Sequence, residues 1–128
     1  MILNKLSLQN FRNYAKSEFD FSSKTNLIIG PNAAGKTNIL EAIYLLASGK
    51  SFRVKGVESE AILYREEIAR VIGRITEGLE EPEGQGGLDL EIVLTTGEVG
   101  GEKTGKKKYL VNGVGKRAVD FVGILKAV

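Results

Sequence analysis

The sequence predicts an α/β fold in which one amphipathic helix packs against a sheet built largely of antiparallel hairpins. Three observations carry that expectation. An apolar run, Leu27-Ile28-Ile29, leads through a glycine-bounded octet into a helical pattern with Ile39, Ile43 and Leu46 at spacings of four and three. Residues 2–9 and 88–95 alternate apolar with polar, the signature of half-buried strands. Asn112-Gly113, directly after Tyr109-Leu110-Val111, is a residue pair that favours a type I′ hairpin turn.

Taken in order, Ile2, Leu3, Leu6 and Leu8 alternate with Asn4, Lys5, Ser7 and Gln9 in a first strand. Asn10-Phe11-Arg12-Asn13-Tyr14 breaks the pattern as a turn. Residues 15–21 resume it, with Phe19 and Phe21 opposite Glu18 and Asp20. The first two strands are therefore expected to pair as a hairpin beside the strand 27–29. The following helix should end near Ser48-Gly49, with glycine as its cap, and Glu41 reads as an exposed helix former. Residues 59–65 read as a short helix or turn, and 67–75 as a strand because Ile and Val dominate it. The Glu- and Gly-rich stretch 77–87 is expected to be a mobile, exposed loop. Residues 97–105 form a long hairpin tip, and 106–115 a hairpin. The final stretch, 116–128, places Val119, Val122, Ile124 and Leu125 at helical spacing. Its apolar character up to the last residue is expected of a chain cut inside a larger fold.

Gly30-Pro31-Asn32-Ala33-Ala34-Gly35-Lys36-Thr37 fits G-x-x-x-x-G-K-[ST], the phosphate-binding loop. The physical reasons are local. Loop amides and the unpaired N–H groups of a first helical turn converge on one spot and suit a polyanion. Gly30 and Gly35 let the backbone approach phosphate without an intervening Cβ. Lys36 brings charge to the β- and γ-phosphates, and the Thr37 hydroxyl is placed to ligate Mg²⁺. Strand, loop and helix come in the order this chemistry requires, so the expected ligands are ATP and Mg²⁺.

At 128 residues the chain is long enough for one domain with a core. A net charge of +2 is too small to argue for nucleic acid by itself. No cysteine or histidine is present, which excludes disulfides, thiolate chemistry and imidazole bases, and agrees with a cytoplasmic setting. Neither a signal peptide nor an apolar run of membrane-spanning length is visible, so no membrane association is expected. Phosphate-loop hydrolases also need an acid at the end of a buried strand. No run of four apolar residues followed by Asp or Glu occurs after the helix, so the hydrolytic set is incomplete and no catalytic residue is assigned.

Several cations admit two readings. Arg12 and Lys16 either approach a nucleotide edge or face water. Lys50, Arg53 and Lys55 around Phe52 form either a phosphate-contacting edge, DNA included, or a solvated loop. Lys106, Lys107 and Lys108 either touch phosphates or guard a strand edge against stray pairing.

The runs Leu6-x-Leu8-x-Asn10-Phe11-Arg12-Asn13-Tyr14, Asn26 to Ile43 and Ser51-Phe52-Arg53 resemble the amino-terminal part of the RecF family. The similarity continues more weakly through Tyr109 to Gly113 and Gly123 to Leu125. RecF proteins are bacterial recombination mediators whose ATPase head is related to those of SMC and ABC proteins. The resemblance implies a phosphate-loop lobe, the first of two, with the Mg²⁺ acid and the signature loop supplied by a second lobe of the same protein. It implies an ATP-dependent homodimer, duplex DNA bound at single-strand/double-strand junctions, and other recombination mediators as partners. It places Gly30 to Thr37 and Asn38 around the phosphates, Arg12 and Asn13 beside the nucleotide, and Arg53 towards DNA. Ala33 departs from the glycine usual in such loops and is strained only if that position needs φ > 0.

Two further function classes compete with an ATP-binding lobe. One is an interaction module that uses the lysine- and arginine-rich segments without ATP. The other is a small-molecule kinase, for which no arginine-rich lid is visible.

Overall fold

The computed structural model describes residues 2–20, 33–49, 61–76 and 87–125. Its main element is a six-stranded sheet with strands β1 (Ile2–Phe11), β2 (Tyr14–Asp20), β3 (Ile68–Thr76), β4 (Leu88–Thr95), β7 (Lys107–Val111) and β8 (Val114–Lys116). Their spatial order is β2-β1-β3-β4-β7-β8, and every pairing among the described residues is antiparallel. The expected strand at 27–29 and the loops at 50–60 and 77–86 lie outside the described residues.

Period-two alternation decides which side chains face the helix. Leu6 and Leu8 of β1, Ala69, Val71 and Ile75 of β3, and Leu90, Ile92 and Leu94 of β4 are all buried on one face. The register keeps them in rows, with Leu8 opposite Val71 and Val71 opposite Ile92. The other face carries cross-strand ion pairs, Arg70–Glu91 and Arg74–Asp89 at 3.0 Å and Lys5–Glu18 at 3.7 Å. A helix covers the apolar face and solvent the charged one.

That helix is α1 (Ala33–Ser48). Ile39, Ala42, Leu45 and Leu46 join the core, while Leu40 and Tyr44 are exposed. The buried stripe thus includes two of the three expected residues, with Ile43 only partly buried. Close approach is possible because β3 carries Gly73 under the helix: a Cβ there would lie 2.6 Å from Leu46 Cδ1. Gly49 ends the helix with φ 77° and an N–H bond to the Leu45 carbonyl at 2.7 Å, as the sequence leads one to expect. No cation lies in the last turn of α1 itself. Lys107 supplies one from β7, donating from Nζ to the Gly49 carbonyl at 2.7 Å, where Tyr109 Oη also donates at 3.2 Å.

Asn112 (φ 51°) and Gly113 (φ 80°) both adopt the left-handed conformation of a type I′ turn between β7 and β8. Residues 97–105 hold a second, two-stranded sheet, β5 (Glu98–Val99) with β6 (Glu102–Lys103), where only a long tip was expected. The expected terminal helix shrinks to one turn, α2 (Ala118–Phe121). Phe121, not Val119, is its anchor: Phe121 is buried against Tyr109 with ring centroids 5.1 Å apart, whereas Val119 is 73% exposed. Lys116 belongs to β8. Among the described residues no helix is long and apolar enough to cross a membrane.

Candidate functional site

Helix α1 begins at Ala33, inside the glycine-bounded octet. Ala33 therefore takes the right-handed helical conformation, which a Cβ tolerates, and the departure from glycine brings no strain. Lys36 and Thr37 are the fourth and fifth residues of the helix, so their backbones lie at the end of its first turn, next to the unpaired N–H groups of its amino end. Gly30, Pro31 and Asn32 are outside the described residues, and of Ala34 and Gly35, as of Ala33, Lys36 and Thr37, only the helical backbone is described.

What the tertiary structure adds is the turn between β1 and β2. Arg12 sits there with φ 53°, a conformation in which glycine would be easier, and Asn10, two residues earlier, has φ 50°. Backbone hydrogen bonds hold the turn: Arg12 N–H donates to the Ala61 carbonyl at 2.6 Å, and Leu63 N–H to the Asn10 carbonyl at 2.8 Å. Phe11 and Ile62 form an isolated bridge between those two bonds. Residues 61–63 thus add a short rung beside the end of β1, which is the turn reading of 59–65 as far as that segment is described.

The turn is docked on α1 through side chains. Arg12 donates from Nε to Glu41 Oε1 at 2.8 Å and from Nη2 to Glu41 Oε2 at 2.7 Å, a two-pronged, charge-assisted pair. Glu41 is fully buried, and the Arg12 side chain is 22% exposed. Next to them Asn38 Nδ2 donates to Asn13 Oδ1 at 2.8 Å. The expectation that Glu41 is an exposed helix former is therefore wrong. Charge suggested a solvated position, but the helical period places Glu41 in the stripe Asn38-Glu41-Ala42-Leu45 that faces the sheet, and Arg12 meets it there. That spacing was the available signal. Of the two readings of Arg12, a nucleotide edge or water, the simple solvated one does not hold, because its guanidinium is paired with Glu41.

Arg12 and Asn13, from one segment, are thus brought against Glu41 and Asn38 of another, which follow Thr37 in α1 by four residues and by one. Among the described residues no group of three or more Asp or Glu side chains is arranged to hold a metal ion, and Glu41 is the one buried acid. The cations expected to face DNA separate. Lys50, Arg53 and Lys55 lie outside the described residues, Lys106 and Lys108 are exposed, and Lys107 is turned to the carboxyl end of α1.

The description AAA ATPase domain matches residues 1–107. The chain belongs to that family. It is also homologous to RecF. It is 34% identical over all 128 residues to the DNA replication and repair protein RecF of Bacillus cereus (strain G9842), and equally to that of Oenococcus oeni (strain ATCC BAA-331 / PSU-1). It spans 30% and 31% of those proteins, so it matches about a third of their length. Among solved structures, the recombination mediator protein RecF-ATP aligns over 98% of this chain and 31% of its own, with a TM-score of 0.77 and 31% identity. The SMC head domain from Thermotoga maritima aligns over 94% of this chain and 40% of its own, with a TM-score of 0.65 and 27% identity. This AAA-family lobe therefore has the phosphate-loop α/β architecture of SMC-type heads, with an antiparallel sheet.

Proposed function

We propose that the chain is the ATP-binding lobe of a cytoplasmic RecF-type protein of DNA replication, repair and recombination. The observation that carries this reading is α1 opening within the G-x-x-x-x-G-K-T octet while gripping the Arg12-Asn13 turn. A sixteen-residue helix presents unpaired N–H groups and the positive end of its dipole to a triphosphate. In this reading Gly30 to Thr37 cradle the phosphates, Lys36 supplies charge, Thr37 takes Mg²⁺ and Arg12 with Asn13 line the nucleotide edge. In the full-length protein ATP is held between two subunits, and hydrolysis to ADP and phosphate uses an acid from a second lobe. Duplex DNA at single-strand/double-strand junctions and other recombination mediators are its partners, with Lys106 and Lys108 as DNA-facing candidates of this lobe.

Calorimetric titration with ATP and Mg²⁺ tests the claim, beside Lys36→Ala and with circular dichroism showing that both are folded. Binding that vanishes in the variant is expected. A folded wild type that binds no ATP overturns the reading for this chain. DNA binding that weakens with salt and ignores both ATP and Lys36→Ala would favour an interaction module instead.

A further inference from the structure

Among the described side chains of α1, those turned to the sheet are apolar except at two positions, and those two grip consecutive residues of one turn. Asn38, 6% exposed, bonds Asn13, and Glu41, 0% exposed, pairs with Arg12. Packing alone does not explain this choice. A buried ion pair roughly breaks even against well-packed apolar side chains of similar size, because desolvation offsets the attraction. The turn itself is unfavourable for arginine, whose φ of 53° would suit glycine. A side chain kept at a strained position and a charge kept in a core point to a geometric demand.

Building on the ATP-binding reading, we infer that Glu41 and Asn38 are positioning residues. They lock the Arg12-Asn13 turn in register with the amino end of α1, and that register sets affinity for the polyphosphate of a nucleoside triphosphate. Glu41 lies one helical turn beyond Thr37, about 6 Å along the axis. It acts through Arg12, as Asn38 acts through Asn13. Rotation or withdrawal of the turn would separate residues 12 and 13 from Glu41 and Asn38 of α1 without unfolding the sheet.

The test is a cycle of wild type, Glu41→Gln, Arg12→Met and the double variant. ATP·Mg²⁺ and tripolyphosphate affinities are measured at a temperature where circular dichroism shows each protein folded, and Tm is measured separately. Glu41→Gln is expected to weaken both ligands at least tenfold while folded, and to have little further effect in the Arg12→Met background. If Glu41→Gln does not fold, the same cycle with Asn38→Ala and Asn13→Ala decides, with a smaller loss of about threefold. A folded variant whose Tm falls but whose affinities stay within twofold of wild type overturns the inference, because the contacts are then structural only. So does a Glu41→Gln effect that persists in full without Arg12. A folded wild type that binds neither ligand overturns the ATP-binding reading, and this one with it.

Discussion

Seating of α1 depends on Gly73, so enlarging that residue tests the packing that carries the site. A Cβ at position 73 would lie 2.6 Å from Leu46 Cδ1 on the helix and 2.9 Å from Leu3 Cδ1 on β1. Two effects oppose each other in Gly73→Ala. Fewer unfolded conformations stabilise the variant by about 0.4–1 kcal/mol, whereas overpacking costs about 1–3 kcal/mol. Both obstructing atoms end flexible leucine side chains, so the clash should fall near the middle of that range and leave a net loss of about 1 kcal/mol. Valine adds two more methyl groups, which shifts of two leucines do not absorb, and should lose about 3 kcal/mol. At about 4 °C per kcal/mol for a domain of this size, Tm should drop by about 4 °C and about 12 °C. Because Leu46 is the nearer obstacle, Leu46→Ala should relieve part of the valine penalty. The double variant should therefore be more stable than additivity predicts by about 1–2 kcal/mol. Urea denaturation followed by circular dichroism measures all four corners of that cycle. Additivity within about 0.5 kcal/mol, or a valine variant as stable as wild type, would refute the claim that the helix rests on this glycine.

Other perturbations have equally definite outcomes. Arg12→Ala removes an ionic partner of a fully buried carboxylate and should cost about 3–5 kcal/mol. It should cost more than Glu41→Ala, which leaves a guanidinium with 22% exposure and a route to water; urea melts showing the reverse order would count against the burial argument. Lys107→Met removes a cation from the carboxyl end of α1 and should cost about 0.5–1 kcal/mol, read as faster hydrogen exchange at the Gly49 amide. Gly113→Ala forces a Cβ onto φ 80° and should cost about 1–2 kcal/mol in thermal melts, with no loss of ATP affinity.

Much of this lobe was legible because its signals are local. Alternation in β1 and β4 follows from which face of a strand meets the core, a property of neighbouring residues, and β3 shows in its Ile and Val content. Asn112-Gly113 announces its turn because few residue pairs accept two left-handed conformations. The octet from Gly30 to Thr37 is recognisable as a motif because its glycines, its lysine and its hydroxyl are adjacent in the chain. Glycine at position 49 likewise marks the end of α1.

The sequence by itself therefore determined the pattern of the described strands and the position of the central helix. Tertiary structure alone decided how charged residues are used. Glu41 looks solvated until residues 29 positions earlier in the chain fold back over it. Lys107 looks like a surface cation until β7 carries it to the end of a helix 58 residues away. Val119 fits a helical stripe, yet one turn anchored by Phe121 leaves it in water. Partner choice for a charge or an aromatic ring depends on which distant surface arrives beside it, and neighbouring residues carry no record of that arrival.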